Sequence, residues 1–327
     1  EGRERVESPA MAWRVLLLAV GVYACSTAVI MIKVCAVHPV LLASYRQLVA
    51  AAALSPLLLR DLRRLRRQAV SGAGPAFRPR MLLRTVLPGV VLGAHFISWI
   101  IGARRTSAAN SSLIVNMVPV VMPFLLYALL RERLTRGELA GTAVALAGVA
   151  LLSAGDVHLR PDRVAGDVLC FGSMLLFALY LALGRRNRDF PSLWLYLVPL
   201  YFAGGAACFV AAVASGASPL AVPPAWDALM ILGLGLVPTV LGHSILNASM
   251  KHLPGQTVSI ANLGQFVFAG VMGWAWLHEA VDASFYPAAA LVVIGSALAV
   301  RSAPRPMPVR PAGKPESAAD NADDGGG

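Results

Sequence analysis

Apolar residues run along this chain in long blocks, without the alternation or the narrow amphipathic stripe that builds a water-soluble core. A helix crossing a ~30 Å hydrocarbon layer needs about 20 largely apolar residues. Ten segments reach that length: 13–34, 39–59, 85–103, 108–130, 137–154, 165–184, 193–215, 225–250, 255–277 and 283–300. Prolines 56, 119, 123, 199 and 238 fall inside them. Each would break a soluble helix, but neighbouring helices in a bundle can satisfy the backbone groups a proline frees. The pattern predicts an all-α integral membrane protein with ten transmembrane helices.

Composition agrees. The 327 residues are 57% hydrophobic and 14% charged, with a mean hydropathy of +0.67, beyond the ~45–50% apolar content of a soluble domain. The net charge of +11 raises nucleic acid as a partner. However, the Lys and Arg residues sit between apolar blocks, not in a stripe with interleaved aromatics, so no nucleic-acid partner is expected. Most of them fall in alternate connectors, with eight arginines between Arg60 and Arg84. By the positive-inside rule this predicts both termini in the cytoplasm and a multi-pass protein of the inner or plasma membrane, with the lipid bilayer as its surroundings. The 60–84 stretch reads as a cytoplasmic connector touching anionic headgroups. Met11 reads as a native start, the block from Trp13 as a retained first helix and not a signal peptide, and the Pro-, Ala-, Asp- and Gly-rich end as a disordered tail. Cys25, Cys35, Cys170 and Cys208 lack Cys-x-x-Cys spacing, so neither a disulfide framework nor a metal site is indicated.

The chain also repeats. A shift of 147 residues lays 104–152 on 251–299 without a gap, placing Glu132 on Glu279, Ser112 on Ser259, Leu130 on Leu277 and Gly148 on Gly295. Pro39 and Pro191 open the second helix of each half. Five spans per half is an odd number, so the second half enters the membrane from the other side, giving two inverted five-helix repeats. Such a pair can exchange conformations around a midplane site. The expected organisation is a non-structural segment 1–12, repeat one over 13–155, an outside linker 156–164, repeat two over 165–301 and a cytoplasmic tail 302–327.

The sequence resembles the EamA family of the drug/metabolite transporter superfamily. Carrying the resemblance are the run from Thr106 to Ile114, then Pro119-Val120, then Leu129 to Leu134 with its echo Leu277-His278-Glu279, and Arg46 seven residues after Pro39. The second half departs from the family at Val198, opposite Arg46, and at Phe266, opposite Pro119. The resemblance implies efflux of amino acids, related metabolites or drug-like solutes, a small-molecule partner and no cofactor. A homodimer is compatible with it.

Polar groups deep in a span are costly unless they face a cavity or a partner. Arg46, ~10 Å along its helix, reads either as a cation holding an anionic or zwitterionic solute or as a structural arginine bonded to carbonyls. His95 with Trp99, His243 with Asn247, Ser112 with Asn116, and Tyr23 with Thr27 are spaced i and i+4, so each pair shares a helical face. Asn262 and Gln265 form a similar pair at i and i+3. These residues are candidates to line a central path, or interhelical glue. Glu132 and Glu279 are expected to bond free backbone donors of the next helix. No Asp or Glu lies well within a predicted span, so proton coupling would fall to His95 or His243, with facilitated diffusion or exchange otherwise. No nucleotide loop is present. A lipid-modifying enzyme lacks its motifs here, and a non-transporting scaffold would have a sealed interior.

Overall fold

The structure is a computed structural model that describes residues 9–70, 79–155, 161–219, 222–278, 283 and 285–302. Among them all regular structure is helical. Helices α1 (Pro9–Val34), α2 (Pro39–Val70) and α3 (Val86–Ala103, entered through a 3-10 turn Pro79–Thr85) are followed by a pair, α4 (Ala108–Val115) and α5 (Val118–Leu130). Next come α6 (Arg136–Gly155), α7 (Pro161–Arg186), α8 (Leu193–Ala214) and α9 (Ala225–Leu234). A π-wound segment (Gly235–His243) leads into α10 (Ser244–His252), then α11 (Gly255–Leu263), α12 (Gln265–Leu277) and α13 (Phe285–Ser302). Nine helical stretches among the described residues are long and apolar enough to cross a membrane. The fifth expected span corresponds to α6, which has 20 residues and is not one of the nine.

The helices differ from the sequence reading in their ends and in two internal breaks. Helix α1 starts at Pro9, where proline is tolerated because a first-turn N–H needs no helical partner. Helix α2 runs to Val70 and not Leu59. Leu62 and Leu65 keep its extension against the core while its arginines point away, so half of the expected connector is helix. The spans expected at 108–130 and 255–277 are each broken in the middle, at Asn116–Met117 and at Gly264. Positions 1–8, 156–160, 303–327 and Glu279 lie outside the described residues.

Small residues set the packing, as they do where lipid removes the hydrophobic drive between helices. Where α6 crosses α13, a Cβ on Gly141 would lie 2.6 Å from the Gly295 carbonyl, and one on Gly148 would lie 2.7 Å from that of Ala288. Only glycine lets these backbones approach so closely. Large apolar side chains such as Phe124, Phe202, Trp274 and Trp276 cover the outside. Two non-glycine residues have positive φ among those described, Arg131 at 56° and His278 at 55°. They end α5 and α12 and stand one repeat shift apart.

Polar contacts gather at the two ends. At the arginine-rich end, Arg84 holds Asp189 through two 2.8 Å bonds and Asn187 at 3.0 Å, and Ser192 bonds Asp61. The Arg84 guanidinium holds the Asp189 carboxyl below its usual range. Arg185 reaches Glu132 at 2.9 Å and the carbonyls of Met250 and Leu253. Glu132 is therefore an ion-pair partner and not the expected helix cap. That role falls to Glu138, whose Oε2 accepts from the Thr135 N–H at 3.0 Å while Thr135 Oγ1 accepts from the Glu138 N–H at 3.1 Å. At the opposite end, Arg104 bonds the carbonyls of Ile32 and Cys35, Lys33 bonds that of Thr106, and Asp227 accepts from Ala36 N.

Candidate functional site

Between these ends, Arg46 from α2 is fully buried. Its Nε and Nη2 donate to Thr239 Oγ1 at 3.1 and 3.0 Å, and its guanidinium carbon lies 3.7 Å from the centre of the Phe96 ring. Thr239 Oγ1 in turn donates to the Leu234 carbonyl at 2.7 Å, inside the π-wound stretch. That winding, one residue wider per turn than an α-helix, is frequent at functional sites. Nη1 of Arg46 has no partner. None of the three ion pairs among the described residues involves it. A guanidinium without a carboxylate in this setting is held by one hydroxyl and one aromatic face, and one of its N–H groups is left for something else.

His95 and Trp99 share a face of α3, as their spacing predicts. The His95 ring stacks between Trp99 at 5.9 Å and Phe177 at 4.7 Å. Its Nδ1 lies 3.1 Å from the Ser173 carbonyl and 2.7 Å from Ser173 Oγ. Because Ser173 Oγ donates to the His95 carbonyl at 2.9 Å, Nδ1 is the donor to Ser173. Trp99 Nε1 donates to Ser111 Oγ at 2.9 Å. His243 ends the π-wound segment with its ring edge-on to Phe96 at 5.3 Å, and its Nδ1 has no partner.

The broken spans meet beside these groups. Asn116 caps α4, donating through Nδ2 to the Ser112 carbonyl at 2.8 Å. Its Oδ1 accepts from Asn262 Nδ2 at 2.8 Å, and Asn262 Oδ1 accepts from Gln265 Nε2 at 2.5 Å. Broken helices whose exposed ends line a site are a recurrent feature of carriers.

One cavity brings six of the nine sequence candidates together. Arg46, His95, Trp99, Asn116, His243 and Gln265 line it, with Cys25, Ala28, Val115 and Phe177. Its volume is ≈ 10 Å³, about the space of one water, so the arrangement is closed. Asn262 stands one bond behind Asn116. Asn247 stands one turn beyond His243, donating to its carbonyl at 2.8 Å and to the Tyr180 hydroxyl at 2.5 Å. Tyr23 is not brought in. It is half exposed on the outside, edge-on to Phe268 at 5.3 Å, and Thr27 bonds its own helix at the Ala24 carbonyl. Its helix turns that face outward. Thr239, Phe96 and Phe177 were missed by sequence reasoning. The available signal for Thr239 was a hydroxyl directly after a mid-span proline. A groove of ≈ 620 Å³ between Leu18, Phe268 and Val292 is mostly apolar, with Ser296 and Arg301 as its polar side chains, and holds none of the nine candidates.

A family model described as the EamA-like transporter family matches residues 12–154 and again 164–301. A solved crystal structure aligns with a TM-score of 0.67 over 88% of this chain and 97% of its own length. At 18% identity that likeness shows the fold alone. No curated protein matches the sequence.

Proposed function

From the premise that this chain belongs to the EamA-like transporter family, and so is a multi-pass membrane transporter of the drug/metabolite type, we propose that it exports small carboxylate-bearing metabolites or drug-like anions by alternating access, with Arg46 as the seat of the anion. The observation that carries this reading is the unpaired Arg46 Nη1 beside the unpaired His243 Nδ1. A buried cation in a membrane interior is costly without a counter-charge, and a carboxylate supplies it by accepting from Arg46 Nη1 and, in the tautomer with its proton on Nδ1, from His243. Neutral solutes gain less from the same site.

Alternating access needs two related halves, and the packing of α6 on α13 supports them. The 147-residue shift carries Gly141 to Ala288 and Gly148 to Gly295, so the contact of Gly141 with Gly295 and that of Gly148 with Ala288 exchange. Position 141 meets 295 while 148 meets 288, so the two helices run antiparallel. A two-fold axis relating antiparallel helices lies across them, in the membrane plane, which is the geometry of inverted repeats. Arg131 and His278 obey the same shift. On this reading α6 is the tenth span. The arginine-rich end, with both termini, faces the cytoplasm of the inner or plasma membrane. Transport proceeds without nucleotide.

The test is efflux from preloaded cells over a solute panel that pairs carboxylates with their neutral amides. Export of carboxylates that falls on the order of tenfold or more in Arg46→Ala, with a smaller fall for the amides, supports the reading. Equal losses for both classes would return Arg46 to a structural role, and equal retention in expressing and deleted cells would remove the transport assignment.

A further inference from the structure

One turn beyond His243 lies a second group of buried polar side chains that the Arg46 seat does not use. Ser244 and Asn247 are three residues apart on α10 and share a face. Tyr180 comes from α7, Tyr196 and Tyr201 from α8. All five are buried, Tyr180 and Tyr201 completely. Both hydrogens of the Asn247 amide are taken, by the Tyr180 hydroxyl and the His243 carbonyl, which fixes Oδ1 as the free atom. Asn247 Oδ1 lacks a partner, and neither Ser244 Oγ nor the Tyr196 hydroxyl makes a hydrogen bond of normal geometry, Ser244 facing the Tyr201 hydroxyl and Tyr196 the Asn187 side chain.

Two of these atoms are close together. A Cβ on Gly184 would lie 2.7 Å from Asn247 Oδ1 and 3.9 Å from the Tyr196 hydroxyl, so both oxygens border the gap that glycine leaves. Buried polar groups are ordinarily paired, and each unmade bond costs about 1–3 kcal/mol. Asn247 Oδ1 has no donor at all, and the loosely held hydroxyls of Ser244 and Tyr196 leave a donor that enters here further oxygens to meet. The two sets also differ in kind. Arg46 Nη1 offers a proton, whereas Asn247 Oδ1 can only accept one. Four residues of helix separate His243 from Asn247, which is ~6 Å along the axis.

Resting on the transporter reading, we infer that the solute is bifunctional: a carboxylate on Arg46 and His243, and a hydrogen-bond donor about 6 Å away on Asn247 Oδ1, supported by Ser244 and Tyr196. That spacing suits a γ-amino or γ-hydroxy acid, or an amino acid whose side chain ends in a donor. An α-ammonium, about 3 Å from its own carboxylate, does not span it. No carboxylate is among these five residues, so the second seat accepts a neutral donor as well as an ammonium.

Equilibrium binding to the purified full chain, with γ-aminobutyrate, γ-hydroxybutyrate and valerate, tests this, because the three share a length and differ in the terminal group. Both donor-bearing acids are expected to bind on the order of tenfold more tightly than valerate, as one well-placed bond implies. Asn247→Leu should bring that ratio to about one, and Tyr196→Phe should reduce it. A merely structural Asn247 would weaken all three acids together and keep the ratio. Equal affinity of the wild type for all three, or an unchanged ratio in both variants, would overturn the second seat. Failure of every acid to bind would instead remove the anion seat and the transport reading with it. Should Asn247→Leu not fold, the wild-type ratio and Tyr196→Phe decide.

Discussion

Two polar regions flank the central cavity, equally buried, yet they differ in how their hydrogen bonds close. On one side Asn116, Asn262 and Gln265 form a chain that leaves none of their buried polar atoms unpaired. On the other, Arg46, His243, Ser244, Asn247 and Tyr196 each leave one open. A closed network fixes helices against each other, and here it bridges the two breaks at Asn116 and Gly264. An open one stores a demand for bonds that a solute can meet. Residue type alone would have put both regions in one binding site.

Substitutions on the two sides should therefore fail differently. Thr239→Val removes the one hydrogen-bonding partner that Arg46 has among the described residues and should lower carboxylate transport on the order of tenfold in reconstituted vesicles. A variant that transports normally would show that the guanidinium needs no positioning from the π-wound segment. Asn262→Leu should cost about 1–3 kcal/mol by stranding Asn116 Oδ1 and Gln265 Nε2, lowering the melting temperature by a few degrees. The rank order of solutes should stay as it was. A changed rank order would move the amide chain into the solute site and dissolve the contrast.

The smallest effects belong to the ends and the exterior. Asp189→Asn breaks a partly exposed ion pair with Arg84, worth about 1 kcal/mol or less. Because the folded carboxyl titrates below its ordinary value, its contribution is present above the unfolded pKa, about 3.9, and disappears as pH falls through the folded one. Wild-type and variant melting curves should differ at neutral pH, begin to converge below about pH 4 and coincide once the pH is below the folded value. A gap that persists there would assign the effect to packing. Tyr23→Ala, on the outer surface, should leave solute preference unaltered, and a shifted preference would mean that the first helix turns inward during transport.

Sequence made some of this visible for physical reasons. Span lengths follow from the thickness of the hydrocarbon layer, and Arg46 stood out because a charge among apolar residues has few tenable roles. The pairs His95 with Trp99 and His243 with Asn247 were found because helical spacing puts them on one face. That spacing says nothing about which way the face turns, and so Tyr23 was grouped with them. The breaks at Asn116 and Gly264 were hidden because the Asn116–Asn262 bond that stabilises them joins residues 146 apart. The π-wound stretch is a choice of backbone partner with no side-chain signature beyond Pro238. Glu138 was legible as a cap from the Thr135-x-x-Glu138 spacing of a capping box, whereas the pairing of Glu132 was not, since the Arg185 that claims it comes from another helix.

The central claim is that the open bond of Arg46 selects for negative charge. Its most direct measurement is the ratio of affinities for a carboxylate and its neutral primary amide, in the purified wild type and in Arg46→Gln, which keeps hydrogen-bonding capacity and removes the charge. A wild-type preference for the carboxylate on the order of tenfold or more, reduced to near parity in Arg46→Gln, is the predicted result. The same preference in both proteins would contradict it.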